Sequence, residues 1–404
     1  MDTARASTCA DEPRIRTSLR PIPLSAPELR GNEQQYLTEC VETGWVSSVG
    51  PFVDRFERDV AAYVGSAHAV AMASGTAALH VALRIAGVEA EDEVIVSDLT
   101  FIAPVNAIRY CQAHPILVDA HPETWQLDVE QVARFLRTEC ESRGASCYNR
   151  RTGRRVRAIL PVHILGLACE IDRITELARE HHLQVIEDAA ESIGVRYRGR
   201  HVGTFGDFGV FSFNGNKTIT TGGGGMLVTK NPQQAAYARY LTTQARDDAL
   251  EAIHNEIGYN YRLTNIQAAL GVAQLERIEE FIARKRAIAR AYDEAFKPLQ
   301  GITPMPRPPH TQATSWLYTL LLPKGTTVPN RRAFIQRLHA SGIGSRLLWH
   351  PIHGLLPYRE CQVVGGSGCA TDLYARAVSL PSSVGLSEAD LQRCVAVVTQ
   401  SLPA

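Results

Sequence analysis

The chain has 404 residues, with 42 basic side chains, 42 acidic side chains and nine cysteines. This length predicts one large domain and a smaller one, and the balanced charge argues against nucleic acid or an anionic membrane as a partner. The cysteines are scattered without a Cys-x-x-Cys pair, which argues against a disulfide framework and against a metal site. No apolar run is long enough to span a bilayer and no signal-peptide pattern is present, so we expect a cytoplasmic protein.

The sequence divides into three predicted regions. Residues 1–20 are polar and lack hydrophobic periodicity, which predicts a disordered tail. Residues 21–280 alternate between strand-like and helix-like segments and predict a large domain. Residues 281–404 contain a proline-rich stretch followed by one strand-like and one helix-like segment, which predict a smaller α+β domain.

Strands and helices alternate regularly in the large predicted domain. Strands are predicted at 68–73, 94–97, 116–119, 156–162, 184–188, 208–213 and 226–229, and helices at 77–86, 103–110, 128–138 and 170–181. Strands separated by helices of this length form right-handed βαβ units, so the sequence predicts an α/β fold with a mostly parallel sheet. The apolar periodicity of 260–296 predicts one long helix, and the arginine-rich run at 150–157 predicts a solvated loop.

Lys217 follows the end of a predicted strand, directly after an Asn-Gly-Asn turn and shortly before the four glycines 222–225. Four consecutive glycines cost backbone entropy, so their presence indicates that another backbone segment comes close to them. A lysine kept partly out of water at such a place favours its neutral, nucleophilic form, which suits Schiff-base chemistry. A surface lysine beside a flexible loop is the alternative.

Three further features lie where predicted strands end. The Ser-Gly-Thr sequence at 74–76 leads into a helix N-terminus, which is suited to bind phosphate or to form an ordinary N-cap turn. Asp188 ends a buried strand and is suited to hold a protonated ring nitrogen or to cap the next segment. Phe101 is suited to stack on a planar ring or to pack in the core. Together with Lys217, these features indicate pyridoxal phosphate, a planar, phosphorylated cofactor with a ring nitrogen.

Five segments resemble the DegT/StrS family of nucleotide-sugar aminotransferases, which have the aspartate-aminotransferase-like (type I) fold of pyridoxal phosphate-dependent transferases. They are Ser-Gly-Thr (74–76), Glu-Asp-Ala-Ala-Glu-Ser (187–192), Gly-Asp-Phe-Gly-Val-Phe-Ser-Phe-Asn-Gly-Asn-Lys (206–217), the glycine run (222–225) and Gly-Tyr-Asn-Tyr-Arg-Leu-Thr-Asn-Ile-Gln-Ala-Ala (258–269). Their order and spacing are specific, and the resemblance extends from about residue 22 to the C-terminus.

The resemblance implies a role for several residues. Lys217 would attach pyridoxal phosphate through its amino group and move a proton between substrate and cofactor, and Asp188 would pair with the pyridine nitrogen. The other implied cofactor contacts are Gly75, Thr76 and Ser212 at the phosphate, Phe101 on the ring, Glu191 at the hydroxyl edge and Asn260 at the phosphate of the neighbouring subunit. The family pattern therefore implies a homodimer with shared active sites.

A finer resemblance concerns the substrate. Segments 100–108, 149–156, 160–166 and 214–225 are similar to the subgroup that aminates C4 of UDP-linked 4-keto-6-deoxy-N-acetylhexosamines with L-glutamate as the amino donor. Enzymes that form GDP-perosamine, and transaminases that form dTDP-4-amino-4,6-dideoxyhexoses, are the alternatives. Candidate substrate contacts are Arg262, His350, His353 and His163, each of which is equally suited to ordinary packing.

Two other classes of function are less consistent with the sequence. A protein that binds pyridoxal phosphate or a nucleotide sugar without turnover has no need of the reactive amine that Lys217 provides. In relatives that dehydrate the sugar, a histidine stands at the position that matches Lys217. The lysine therefore favours amino transfer.

Overall fold

A computed structural model gives the structure of the protein and describes residues 20–248 and 250–402. The predicted disordered tail lies outside the described residues except for Arg20. None of the helices in these two ranges is both long and apolar enough to cross a lipid bilayer.

Helices and strands alternate along most of the chain. The helices are α1 (Glu33–Thr43), α2 (Pro51–Val64), α3 (Gly75–Ile85), α4 (Ala103–Tyr110), α5 (Val129–Thr138), α6 (Ile171–Glu180), α7 (Pro232–Thr242), α8 (Asn265–Leu275), α9 (Ile278–Phe296), α10 (Val328–Ala340), α11 (Gly368–Arg376) and α12 (Glu388–Ser401). The strands are β1 (His68–Met72), β2 (Glu93–Ser97), β3 (His114–Val118), β4 (Cys140–Arg143), β5 (Ser146–Asn149), β6 (Arg155–Leu160), β7 (Gln184–Asp188), β8 (Arg196–Tyr197), β9 (Arg200–His201), β10 (Phe208–Ser212), β11 (Gly225–Thr229), β12 (Thr311–Gln312), β13 (Thr319–Leu321), β14 (Arg346–Leu347), β15 (Gln362–Val364) and β16 (Ala377–Ser379).

The central sheet has the strand order β1-β11-β10-β7-β6-β2-β3-β15. The five neighbouring pairs from β10 to β15 are parallel, whereas β11 is antiparallel to both β1 and β10. This topology confirms the predicted α/β fold with a mostly parallel sheet. Its consequence for the site is that β2, β7 and β10 all end at the same edge of the sheet.

The sheet is buried on both faces. In β2, Val94 and Val96 pack in one hydrophobic cluster, whereas Ile95 packs in the other. Alternate residues of a strand point to opposite faces, so the two clusters lie on the two sides of the sheet, each covered by helices. This arrangement explains why the strands read as continuous apolar runs in the sequence.

The predicted long helix over 260–296 is wrong, because the structure forms α8 and α9 there, separated by Glu276 and Arg277. Thr264 caps the start of α8 in a capping box: its side chain accepts from the Gln267 backbone, and the Gln267 side chain accepts from the Thr264 backbone. Residues 260–263 are therefore extended rather than helical. Arg277 interrupts the helix with φ −113° and ψ 10°.

Residues 150–154 of the arginine-rich run form the predicted loop, between β5 and β6, whereas 155–157 belong to β6; the hairpin of β4 and β5 beside them was not predicted. Strands β4 and β5 pair with each other, and β5 adds to the edge of β6. The arginines are largely neutralised by surface carboxylates: Arg150 pairs with Glu141, and Arg155 pairs with Asp92. These local ion pairs reduce the net positive charge of this segment.

The C-terminal part of the chain forms a second, smaller sheet of β13, β16 and β14, all antiparallel. The same part also returns to the central sheet, where β15 pairs in parallel with β3. Helix α9 runs across the predicted domain boundary between residues 280 and 281. That boundary remains a prediction.

Candidate active site

One cavity of about 350 Å³ lies at the edge where β2, β7 and β10 end and α3 begins. Ligands bind at this edge in parallel α/β sheets, because the strands there end in loops that can carry polar side chains. Seven of the predicted site residues line the cavity: Gly75, Thr76, Phe101, Asp188, Glu191, Ser212 and Lys217.

Lys217 presents its amino group to this cavity from the turn that follows β10. The backbone N–H of Lys217 donates to the Asn214 carbonyl at 3.0 Å. Its Nζ lies 3.4 Å from Glu191 Oε1 and 4.0 Å from the centroid of the Trp316 ring, and its side chain is only 13% exposed. The Trp316 indole is fixed in turn, because Nε1 donates to the Asn216 carbonyl at 2.8 Å. The amine is thus held between a carboxylate and an aromatic face.

Asp188 is the last residue of β7 and is 3% exposed. Its Oδ1 accepts from the Ala190 backbone N–H at 3.0 Å, while Oδ2 has no hydrogen bond to the described part of the chain. Burial raises the pKa of this carboxyl to about 6, although the Ala190 N–H and the charge of Lys217 oppose the shift. A buried carboxylate with a free oxygen on a cavity wall can pair with a protonated nitrogen of a bound ring.

The N-terminus of α3 forms a second wall of the cavity. Ser74 caps this helix, with its Oγ accepting from the Ala77 N–H at 3.0 Å, so the first-turn N–H groups of Gly75 and Thr76 point beyond the helix end. A Cβ on Gly75 would lie 3.1 Å from the Ser212 Cβ. A methyl group at this position would therefore force the helix end and the end of β10 apart by a few tenths of an ångström. The wall offers N–H groups, hydroxyls and a helix dipole to an anion.

The glycine run brings β11 against the same helix end. A Cβ on Gly225 would lie 2.4 Å from the backbone carbonyl carbon of Ser74, closer than any side chain can approach. Gly222 has a positive φ of 78°, which glycine adopts at little cost. The close backbone approach predicted from the glycine run is therefore present in the structure.

Glu191 and Phe101 occupy the remaining sides. Glu191 Oε2 accepts from the Leu165 N–H at 2.8 Å, so the carboxylate that contacts Lys217 is itself held in place. Phe101 follows β2 and is 55% exposed, which leaves its ring free to stack on a planar ligand.

Asn260 and Arg262 lie outside this cavity. Asn260 is exposed and forms an isolated backbone bridge with Thr243. The Arg262 guanidinium donates to Glu57 Oε1 at 2.8 Å and to the Ala71 carbonyl at 3.2 Å. Arg262 therefore ties α2 to β1 within the described chain, and a substrate contact for either residue stays a prediction.

The three candidate histidines also lie off the cavity wall. His163 is fully buried: its Nδ1 accepts from the Cys169 N–H at 3.1 Å, and its Nε2 lies 3.0 Å from Glu187 Oε2. The His350 Nδ1 lies 2.9 Å from the Pro351 carbonyl. The His353 Nδ1 lies 2.6 Å from Asp98 Oδ2. These partners account for the packing of the three rings, and the proposed substrate contacts remain untested.

The sequence analysis missed the residues that reach the cavity from the C-terminal part of the chain, which are Trp316, Arg346 and Trp349. They lie on short strands and irregular segments whose sequences show no periodicity. A lone tryptophan or arginine in such a segment carries no signal of its own. Long-range packing alone brings these residues to the site.

The residues of the cavity fit pyridoxal phosphate on structural grounds. The α3 N-terminus, where Gly75 lies close to Ser212, can bind the phosphate. The free Oδ2 of Asp188 can accept a hydrogen bond from the ring nitrogen. Lys217 supplies a sheltered amine for the aldehyde carbon. The exposed face of Phe101 suits the ring itself.

Comparison with known proteins identifies the family. The profile of the DegT/DnrJ/EryC1/StrS aminotransferase family matches residues 27–399. The GDP-perosamine synthase of Caulobacter vibrioides is 40% identical over 388 residues, which cover 94% of this chain and 98% of that protein. The GDP-perosamine synthase of Escherichia coli O157:H7 is 38% identical, with 91% and 94% covered.

A solved structure shows the same fold. The DegT DnrJ EryC1 StrS aminotransferase from Brucella abortus superimposes with a TM-score of 0.83 at 29% identity, covering 91% of this chain and 95% of that one. The profile match, the relatives and the fold agree with the site geometry. The chain belongs to the DegT/DnrJ/EryC1/StrS aminotransferase family and is a pyridoxal phosphate-dependent sugar aminotransferase.

Proposed function

We propose that this enzyme transfers the amino group of L-glutamate to C4 of a GDP-linked 4-keto-6-deoxy sugar. The observation that carries amino transfer is the arrangement of Lys217, Asp188 and the α3 N-terminus around one cavity. The choice of a GDP sugar is supported by the two GDP-perosamine synthases, which match this chain over almost its whole length.

The UDP-linked N-acetyl sugar is the second candidate. It is supported by the motif resemblance of segments 100–108 and 214–225, whose residues Thr100, Phe101, Asn214 and Lys217 line the cavity. A dTDP-linked sugar is a third possibility of the same chemistry. All three substrates require the same amine carrier. They differ in the nucleotide bound outside the reacting centre, and the UDP-linked sugar also carries an N-acetyl group.

Lys217 would do the proton transfer. When bound, pyridoxal phosphate supplies an electron sink next to the reacting carbon. The Lys217 amine would act as the base that moves a proton between the substrate carbon and the cofactor. Glu191, 3.4 Å from Nζ, keeps the amine on the cavity side.

Asp188 would keep the ring nitrogen of the cofactor protonated, so that the ring can accept electrons from the reacting carbon. Its Oδ2 is free to accept from a protonated ring nitrogen, and its burial strengthens such a pair because little water competes for the charge. Trp316, buried and hydrogen-bonded through Nε1, packs on the Lys217 amine and would shield it from water. The residues of the chain thus bind, orient and shelter the reacting groups.

We further propose a homodimer with shared active sites in the cytoplasm. Exposed apolar side chains are concentrated on α1 and the loop after it, namely Val41, Trp45, Val46 and Val49. An exposed apolar patch of this kind is typical of a protein interface. Asn260, exposed and away from its own cavity, is expected to reach the phosphate site of the second subunit. Light scattering of the purified protein at micromolar concentration tests this: a monomer would contradict it.

Absorbance measurements of two half-reactions test the proposed activity. The enzyme is loaded with pyridoxal phosphate, and L-glutamate is expected to abolish its visible absorbance. After removal of glutamate, GDP-, UDP- and dTDP-linked 4-keto-6-deoxy sugars are offered separately. Recovery of the absorbance with the GDP sugar would support the proposal, and recovery with the UDP N-acetyl sugar alone would favour the second candidate. No visible absorbance after loading would contradict amino transfer altogether.

A further inference from the structure

Arg346 brings a guanidinium group into the active-site cavity from β14. Its Cζ lies 5.7 Å from the centroid of the Trp316 ring, the same ring that Lys217 Nζ contacts at 4.0 Å. Arg346 Nε is buried and has no hydrogen-bond partner among the residues that the structure describes. The charge of Glu191 raises the pKa of Arg346, but the Glu191 carboxylate is hydrogen-bonded to Lys217 and to the Leu165 backbone rather than to Arg346.

This guanidinium differs from those of Arg262 and Arg155, which are also partly buried. Arg262 and Arg155 each bond a carboxylate, Glu57 and Asp92 respectively. Removing a cation from water without a counter-charge destabilises a protein, and burial accordingly lowers the pKa of Arg346. Arginine nevertheless stays charged, and its planar fork binds carboxylates and phosphates through two parallel hydrogen bonds. Among the described residues, Arg346 thus lines the cavity without a direct ion pair to a carboxylate, and its guanidinium is suited to bind an anion of a ligand.

The cofactor phosphate does not fill this role. The residues suited to it, Ser74, Gly75 and Ser212, belong to the end of α3 and the end of β10. Arg346 belongs instead to the antiparallel sheet of the C-terminal part, where it pairs in register with Ser379. Two anions remain, the carboxylate of the amino donor and the diphosphate of the nucleotide sugar.

The position of Arg346 favours the donor. In an amino acid, the α-carboxylate is attached directly to the carbon that reacts, whereas the diphosphate of a nucleotide sugar is separated from C4 by the hexose ring. An arginine that packs on the same indole ring as Lys217 is close to the reacting carbon. We propose that Arg346 binds the α-carboxylate of the amino donor, an inference that rests on the proposed function. Bidentate binding there would fix the donor carbon beside Lys217.

Amide analogues of the donor locate the contact. Glutamate carries two carboxylates. In glutamine a neutral amide replaces the side-chain carboxylate, and in isoglutamine a neutral amide replaces the α-carboxylate. With the loaded enzyme, Arg346→Gln is expected to lower kcat/KM for loss of absorbance about 100-fold with glutamate and with glutamine. With isoglutamine, whose α-carboxylate is an amide, the variant and the unaltered enzyme are expected to react equally. Arg346→Lys should retain more of the glutamate rate than Arg346→Gln, because it keeps the charge.

The second half-reaction tests whether Arg346 binds the carboxylate of the donor or the diphosphate of the nucleotide sugar. Arg346→Gln should recover its absorbance with the sugar nucleotide within about threefold of the unaltered enzyme, because no donor carboxylate is then present. Calorimetry gives a readout without turnover: maleate should bind the loaded enzyme at least tenfold more weakly after Arg346→Gln. Arg332→Gln, an exposed position on α10, is the matched control and should change neither measurement.

The outcomes are distinct. A larger loss in the sugar half-reaction than in the glutamate half-reaction would overturn the inference and assign Arg346 to the diphosphate. Equal rates for Arg346→Gln and the unaltered enzyme with glutamate would overturn it as well. If the unaltered enzyme itself fails to react with any amino donor, the proposed function is contradicted, and the inference with it.

Discussion

Asp98 binds His353 through both of its carboxylate oxygens. Oδ1 accepts the His353 backbone N–H at 2.9 Å, and Oδ2 lies 2.6 Å from Nδ1. Asp98 directly follows β2, whereas His353 lies between β14 and β15, in the segment that also carries Trp349 to the cavity. The next strand repeats the arrangement: Asp119 follows β3 and accepts the N–H groups at the start of α11. Two buried carboxylates thus attach the C-terminal part of the chain to the edge of the sheet that carries the site.

We expect Asp98→Ala and His353→Ala each to lower the free energy of unfolding by about 1.5–3 kcal/mol, because each leaves a buried or half-buried polar partner with fewer hydrogen bonds. Urea denaturation of both single variants and the double variant measures the effect. The two losses should not add, and a coupling of about 1–3 kcal/mol is expected for residues in direct contact. Strict additivity would contradict the pairing.

The same variants distinguish docking from substrate contact. If His353 acts only by holding residues 349–354 in place, Asp98→Asn and His353→Gln should raise the KM for the nucleotide sugar by similar factors. If the His353 Nε2, which Asp98 leaves free, also touches the substrate, His353→Gln should lower kcat/KM about tenfold more than Asp98→Asn. Steady-state kinetics of the two variants decides between these outcomes.

Much of the fold could be predicted because strands such as β2, β7 and β10 are buried on both faces of the central sheet and therefore appear as apolar runs in the sequence. Asp188, for example, ends β7 as expected, since a polar residue closing an apolar run marks the strand end. Helix α4 spans Ala103–Tyr110, the range predicted, with a proline in its first turn. The break between α8 and α9 was missed because the apolar periodicity continues across Glu276 and Arg277.

The site could be predicted only in part, for a physical reason. Residues such as Lys217 and Gly75 follow strands or open helices, so topology alone brings them to one edge of the sheet. Trp316 and Arg346 reach the cavity through tertiary packing between distant segments, which no local pattern encodes. Arg262 was a candidate substrate contact, yet its guanidinium forms an ion pair with Glu57 of the same chain.

We expect Lys217→Ala to lower the rate of amino transfer by about 10⁴-fold or more, because it removes both the attachment point and the proton carrier. The fold should survive, since the partners of the Lys217 amine are held by other bonds: Glu191 keeps its bond from the Leu165 N–H, and Trp316 keeps its bond to the Asn216 carbonyl. Lys230→Ala, a lysine away from the cavity, is the control. Near-normal turnover by Lys217→Ala would refute the role assigned to this lysine.

Gly75→Ala is expected to weaken retention of pyridoxal phosphate at least tenfold while costing little stability. The added methyl would lie 3.1 Å from the Ser212 Cβ, so the helix end and the strand end must move apart by a few tenths of an ångström. Such a shift displaces the N–H groups that are suited to the phosphate. Dialysis followed by absorbance titration measures the affinity. Gly215→Ala, where the nearest atom is 3.9 Å away and φ is not positive, should leave it unchanged.

Asp188 is expected to destabilise the cofactor-free protein at neutral pH. Burial raises its pKa from 3.8 to about 6 in the folded chain. Below about pH 4 the carboxyl is protonated in both the folded and the unfolded states, so it costs nothing. As the pH rises towards 6, the unfolded state loses its proton first, and the free energy of unfolding falls by about 3 kcal/mol in total. Above that pH the loss is complete.

Asp188→Asn removes this charge while its Oδ1 can still accept from the Ala190 N–H. The cofactor-free variant should therefore be more stable than the unaltered protein at pH 7–8 by about 2–3 kcal/mol, and equally stable near pH 4. Urea denaturation across this pH range tests the sign, with Asp372→Asn, at an exposed and ion-paired carboxylate, as the control. Loading with pyridoxal phosphate should reverse the order at pH 7–8, because the ring nitrogen then supplies the partner that the buried carboxylate lacks. An Asp188→Asn protein that is less stable than the unaltered chain at every pH would show that the carboxylate is already paired within the chain.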